Sequence, residues 1–232
     1  MAERNRVTPT GDIVAVPQRG LFLGNRGSIH RGHDIVRPWQ VRRWITCALT
    51  YKDWRAPRWE PGRWTPLFFW DEAVALAAGH RPCALCRHRD FVRWSDAWAA
   101  AHGARARVDP MDRALHAERV DGRSKRTHDL AWSRLPPGAF AVVAGEPVLV
   151  LADRLVPWSP TPVGYGPPRP RPRRGRATVL TPPATLAVLG AGYRPVLHPS
   201  ASEAEGASGA AGADQGCDGA GGAPGTSNAS SS

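Results

Sequence analysis

Lysine is almost missing from this sequence: of 31 basic residues only Lys52 and Lys125 are lysines, so 29 arginines carry the positive charge. Long apolar runs are missing as well. None approaches the roughly 18 residues of a bilayer-crossing helix, which excludes a helical membrane span. Four cysteines are too few for a disulfide scaffold. Residues 1–20 lack the basic, apolar and small-residue succession of a secretory signal. A reducing, cytoplasmic setting is the expectation. Bases are absent from residues 201–232, where the only charges are Glu203, Glu205, Asp214 and Asp218. The net charge of +11 for the whole chain is therefore +15 on residues 1–200, 31 bases against 16 acids. Such an excess attracts polyanions by releasing their counterions, and nucleic acid is the commonest such partner. A GC-rich coding sequence produces the same Arg, Ala, Gly and Pro bias without selection for binding.

What is present suffices for a core. With 42% hydrophobic and 22% charged residues over 232 positions, the chain can build one substantial domain or two small ones. Residues 1–20 read as a flexible N-terminus, and residues 201–232, almost wholly Ala, Gly and Ser, as a disordered tail with no apolar face to offset its ordering entropy. Pro160 to Arg176, PTPVGYGPPRPRPRRGR, reads as an extended, partly polyproline-like loop within a domain. Ahead of it, Ala139 to Val143 and Val148 to Leu155 read as strands around a Gly145-Glu146-Pro147 turn, with Ala177 to Leu180 as a third. The clearest helix is Glu72 to Ala78, capped by Asp71 and ended by Gly79. A second, Pro183 to Leu189, follows Thr181 as cap and Pro182 in its first turn, and ends at Gly190 to Gly192. Asp90 to His102 and Pro110 to Val120 are further helices, and Arg19 to Trp70 is mostly short strands and loops. Ala77 to Pro82 is similar to Gly190 to Pro195, which reads as reused capping chemistry rather than an internal repeat.

Cys83 and Cys86 form a C-x-x-C just after a helix end and a rigid Arg-Pro step, a spacing that lets two thiolates chelate one ion from a tight turn. Zinc is the expected ion. Cys47, ending the apolar Trp44-Ile45-Thr46 stretch, is the natural third ligand, and a histidine is expected as the fourth. His30 is the first choice, because it follows the strand-like Gly27-Ser28-Ile29, with His33 and His88 as rivals. Cys217 lies in the tail, apart from this group.

The run Phe68-Phe69-Trp70-Asp71-Glu72-Ala73-Val74-Ala75-Leu76-Ala77-Ala78-Gly79-His80-Arg81-Pro82-Cys83-Ala84-Leu85-Cys86-Arg87 resembles the second half of the zinc-binding N-terminal domain of Ada-type methylphosphotriester repair proteins. Shared features are two aromatic residues, an Ala-rich helix, an aromatic-Arg-Pro step and the C-x-x-C. The match covers about twenty residues well and Leu21 to Arg93 loosely. It implies a zinc fold and a DNA partner. In that family an earlier C-x-x-x-C completes a four-thiolate site, one of whose cysteines accepts a methyl group from a DNA phosphotriester. Here Tyr51 stands where the second of those cysteines would fall, so Cys47 is expected to be a structural ligand without methyl-acceptor activity.

Six of the ten tryptophans, Trp39 to Trp70, are interleaved with arginines, which suits base stacking and phosphate neutralisation as well as the core of a small module. Arg26, in a Gly-flanked loop, and Arg42, Arg43, Arg81 and Arg87 are the candidate nucleic-acid contacts. In the segment Asp109 to Arg119, Asp112 and His116 share a helix face at i, i+4, with Glu118 off that face; these are the candidate catalytic residues. The expectation is an α+β protein: an Ada-like zinc module over 21–105, then a smaller α+β region over 106–200. Its expected role is zinc-stabilised binding of nucleic acid, with no membrane and no identified small-molecule substrate. Two other readings are a metal-dependent nucleic-acid-processing enzyme using Asp112, His116 and Glu118, and a zinc-stabilised protein-interaction scaffold.

Overall fold

Six residues, Glu72–Ala77, make the helix α1, and all of them are buried. The Asp71 carboxylate accepts from the Val74 amide at 2.9 Å at one end, and Gly79, at φ +90°, closes the other. In the computed structural model, which describes residues 2–203, this helix lies where two six-stranded sheets meet. Before it come β1 (Arg4–Val7), β2 (Ile13–Ala15), β3 (Phe22–Asn25), β4 (His30–Arg31), β5 (Asp34–Ile35), β6 (Ile45–Cys47) and β7 (Leu67–Phe69). After it come β8 (Arg81–Pro82), α2 (His88–His102), α3 (Val108–Arg119), β9 (Val120–Asp121), β10 (Ser124–Lys125) and β11 (His128–Ala131). The remaining elements are β12 (Phe140–Val143), β13 (Glu146–Val150), β14 (Arg154–Pro157), β15 (Arg169–Pro170), β16 (Arg176–Val179), α4 (Pro183–Gly190) and α5 (Ser200–Glu203). The fold is mixed α+β.

The first sheet runs β2-β1-β7-β3-β6-β8 and the second β11-β16-β12-β13-β14-β15, with β4–β5 and β9–β10 as separate two-stranded ribbons. Side chains alternate along each strand, and the central strands of the second sheet bury apolar residues on both faces. Val148, Val150, Ala141 and Val179 face a core shared with Trp94 and Trp98 of α2, Met111 and Leu115 of α3, and Val188 and Leu189 of α4. Phe140, Leu149 and Val156 face the other way, onto α1 and onto Val7, Leu67 and Phe69 of the first sheet. Both cores thus mix side chains from 21–105 and 106–200, and the packing has no break near residue 105.

Several expectations are corrected. The expected flexible N-terminus carries ordered structure: β1 pairs with β2 and, in parallel, with β7, and buries Val7. Val148 to Leu155 is two strands, turned at residues 151–153 where Ala152 and Asp153 supply no apolar alternation. The Pro160 to Arg176 stretch contributes β15, and its Tyr165 is buried with its hydroxyl donating to Asp71 Oδ2 at 2.7 Å. The expected tail starts too early, since α5 runs to Glu203 and Ala201 packs in the core; the rest of that expectation, 204–232 with Cys217, lies outside the described residues. Thr181 does not cap α4, because its hydroxyl accepts from the Phe140 amide at 2.8 Å. The free amide of Ala184 donates instead to Glu118 Oε2 at 2.7 Å, a cap supplied from α3.

The two similar helix ends are the same cap built twice. His80 N donates to Ala75 O and Gly79 N to Leu76 O; Tyr193 N donates to Val188 O and Gly192 N to Leu189 O. Each is the pair of bonds of a Schellman motif around a left-handed glycine. Their exits differ, since Arg81-Pro82 enters the first sheet as β8 and Arg194-Pro195 continues as coil.

Candidate metal centre

Parallel pairing of β6 with β8 sets Ile45 beside Arg81 and Thr46 beside Pro82, so the next residue on each strand is a cysteine. The Cys83 amide extends the ladder by donating to Thr46 O at 2.9 Å. The chain then turns, with Arg87 N donating to Cys83 O at 3.2 Å, and brings Cys86 back over the same end. The sulfurs of Cys47, Cys83 and Cys86 all lie within 4.8 Å of one another. Cys47 and Cys83 are buried and Cys86 is half-buried. A tetrahedral ion with metal–sulfur bonds of about 2.3 Å needs sulfurs about 3.8 Å apart, which this spacing accommodates.

Backbone amides point at the sulfurs. Leu85 N donates to Cys83 Sγ and Ala48 N to Cys86 Sγ, each at 3.4 Å. Hydrogen bonds from Cys47 and Cys86 hold Cys83 well below the usual thiol range, and the same sharing pushes Cys47 up. Cys86 is pushed up as well, so the negative charge rests on Cys83 with the other two thiols turned to it, and the group could hold a metal ion.

His30 does not join it. Its Nδ1 is 2.6 Å from Thr65 Oγ1 and its Nε2 3.2 Å from Glu60 O, so both ring nitrogens are committed to the loop leading into β7. The rival histidines are also elsewhere: His33 meets Glu3 at 3.1 Å, and His88 Nδ1 is 3.1 Å from Ala84 O. Among the described residues, only the three cysteines form a ligand group of this kind.

The candidate arginines separate into two kinds. Arg81 is 1% exposed, and its Nε and Nη2 reach Asp112 Oδ1 and Oδ2, both at 2.8 Å. Arg87 is also buried; its Nη2 lies 2.8 Å from Glu72 Oε1 and 2.7 Å from Asp90 Oδ2, and its Nη1 donates to Thr46 Oγ1 at 2.8 Å. Both are therefore structural, contrary to expectation, because their donors are spent on carboxylates. Arg42 and Arg43 are exposed, and with Arg113 and Trp64 they line a cavity of about 560 Å³. Arg26 is buried, and among the described residues its guanidinium hydrogen-bonds to His80 and Gly11 O and to no carboxylate.

The candidate catalytic segment is dispersed. Asp112 is held by Arg81, Glu118 caps α4, and His116 Nδ1 lies 3.2 Å from Arg119 Nη2. Burial and the neighbouring cations Arg119 and Arg42 pull His116 down to about 4, leaving it neutral at pH 7. Residues that sequence reasoning passed over include Glu72, which accepts from Tyr193 Oη at 2.7 Å and Val196 N at 2.9 Å and so ties the C-terminal segment to α1. Its only sequence signal was an acid in a helix's first turn.

No protein-family model matches this chain, and no curated protein and no solved structure matches it.

Proposed function

We propose that the protein is a zinc-stabilised nucleic-acid-binding protein, in which Cys47, Cys83 and Cys86 supply three ligands to one zinc and exposed arginines contact phosphates. The observation that carries the reading is the cysteine group: three sulfurs from chain segments 36 positions apart, mutually within 4.8 Å and faced by amide donors. Thiolates arranged in this way in a reducing setting suit zinc, which lends folding energy to loop-rich structure. Cys47 serves as a structural ligand. A methyl acceptor must be reachable by its substrate, whereas Cys47 closes a buried strand end.

The nucleic-acid half of the reading is supported by the basic excess and by the residues that remain free for contact. Arg42 and Arg43 are exposed and share a cavity with Trp64 and Arg113, which Asp109 and Asp112 also line. Trp64 stacks on Trp54 at 5.6 Å and 8°, and Trp54 is 43% exposed, which gives stacked rings from which a row of bases could continue. The resemblance to a DNA-repair module favours DNA.

Metal analysis and salt-dependent binding on one preparation test both halves. We expect one equivalent of zinc per chain, lost together with cooperative folding in Cys83→Ala. We expect DNA affinity to fall steeply with salt, and the slope to shrink by about two in the Arg42→Ala/Arg43→Ala double variant. Less than about a tenth of an equivalent of zinc in protein purified without chelators would sink the first half. Binding that ignores both salt and the double variant would sink the second.

A further inference from the structure

Away from the cysteines, near the carboxyl end of α1, two buried arginines and a half-buried lysine gather with fewer carboxylates than cations. Arg26 is 2% exposed; its Nε donates to His80 Nε2 at 3.2 Å and its Nη1 to Gly11 O at 3.1 Å. Its Nη2 is buried with no hydrogen-bond partner among the described residues. Arg119 is fully buried; it donates to Gly79 O at 2.7 Å and to Arg42 O, and its Nε has no such partner. The two guanidinium carbons lie 4.2 and 4.1 Å from the ring centre of Trp44. Lys125, on β10, donates to Ala77 O.

These three cations share the wall of a cavity of about 410 Å³ with Arg4, Arg37 and Arg123. Asp12 is the only carboxylate lining it among the described residues. Asp12 acts on Arg26, and Asp112, the acid acting on Arg119, is already held by both oxygens to Arg81. Burial pulls Arg26 down to about 9 and Lys125 to about 7, the neighbouring cations adding to the effect on Lys125. Arg4, Arg37 and Arg123 are exposed at the rim, whereas Arg26 and Arg119, buried with unpartnered guanidinium nitrogens, are costly until an anion enters, and arginine forks match phosphate oxygens in pairs. Gly79 keeps this packing possible, since a Cβ there would lie 2.5 Å from Arg119 Cδ.

We propose that this cavity binds the terminal phosphate of a nucleotide, free or at the end of a nucleic-acid strand. A terminal phosphate brings two negative charges where an internal diester brings one, and the cavity holds a surplus of five cations over acids. The half-buried Trp39 supplies the aromatic surface for the attached base, because the Trp44 ring already has two guanidinium groups against it. The site is separate from the cysteine group and does not depend on the zinc reading.

The test uses the full chain with its metal complement as purified. Binding is measured for the four nucleoside 5′-monophosphates, for inorganic phosphate, and for short strands bearing a terminal phosphate or a terminal hydroxyl. We expect phosphorylated ends or monophosphates to bind at least about tenfold more tightly than the hydroxyl-ended strand. A preference confined to strands identifies a nucleic-acid end, and tight monophosphate binding identifies a free nucleotide. Arg26→Gln should abolish the preference. Because a buried change can disturb folding, Arg123→Gln at the exposed rim is the second variant, expected to melt like the parent and to bind about threefold to tenfold more weakly. Equal affinity for phosphate and hydroxyl ends with no binding of monophosphates would overturn the proposal, as would an Arg123→Gln/Arg37→Gln protein that binds as well as the parent. Inorganic phosphate binding as tightly as every monophosphate would overturn its nucleotide part.

Discussion

Arg81 and Arg87 are as deeply buried as Arg26 and Arg119, yet the two pairs have opposite surroundings. Arg81 is clasped by Asp112, and Arg87 by Glu72 and Asp90. For Arg87, burial lowers the guanidinium's proton affinity, but the two carboxylates outweigh it and hold the group above its ordinary value. Arg26 and Arg119 instead hydrogen-bond to carbonyls and a neutral imidazole and lie on an indole face, and burial pulls both down, outweighing Asp12 near Arg26 and Asp112 near Arg119. Burial alone therefore does not tell a structural cation from a functional one. The partners do: a cation matched by carboxylates fastens the fold, and an unmatched one is free for an incoming anion.

The strongest way to break the contrast is to give Arg81 the surroundings of Arg26. Asp112→Asn keeps the shape of α3 and removes the charge, leaving Arg81 buried without a counter-ion. We expect a loss of about 3–5 kcal/mol of stability in urea unfolding. A loss below about 1 kcal/mol would show that Arg81 does not need its carboxylate, and the distinction drawn here would fail.

The reverse change is expected to be far milder. Arg26→Met removes an unmatched cation from an apolar and aromatic setting, at the cost of its bonds to Gly11 O and His80. Without phosphate we expect stability within about 1 kcal/mol of the parent, in contrast to the Asp112→Asn loss. Unfolding of the isolated variant by several kcal/mol would make Arg26 a structural group like Arg81.

The sequence could not separate these arginines, because their partners lie far along the chain. Asp112 is 31 residues from Arg81, and His80 is 54 from Arg26. Local chemistry was readable: the Asp71 cap, the Gly79 and Gly192 ends and the C-x-x-C turn each depend on residues within a few positions. Cys47 was found by its apolar strand, and the parallel β6–β8 pairing is what makes it adjacent to Cys83. His30 went astray for the complementary reason. The strand-like Gly27-Ser28-Ile29 expected before it is a bend between β3 and β4, and Thr65, 35 residues away, claims its ring. The β1–β2 hairpin was overlooked because strands of four and three residues carry too little alternation to stand out, and only pairing with β7 stabilises them.

The smallest effect expected concerns Lys125, whose neighbours are the cations Arg26 and Arg119 and the Ala77 carbonyl. Its proton affinity falls from an ordinary 10.5 to about 7 on folding, so between these values the unfolded chain holds a proton that the folded chain has released. Stability from this group is therefore complete above about 10.5 and is lost as pH falls through 7. Lys125→Met removes the titration while keeping an unbranched apolar stem. The pH dependence of the melting temperature between pH 7 and 9 should accordingly be less steeply rising in the variant than in the parent. Phosphate should act in the opposite direction on the parent, because a bound dianion restores the lysine's reason to stay protonated and makes phosphate stabilisation greatest toward pH 6–7. Identical pH slopes in the two proteins, with and without phosphate, would place Lys125 in ordinary solvent and remove it from the group of unmatched cations.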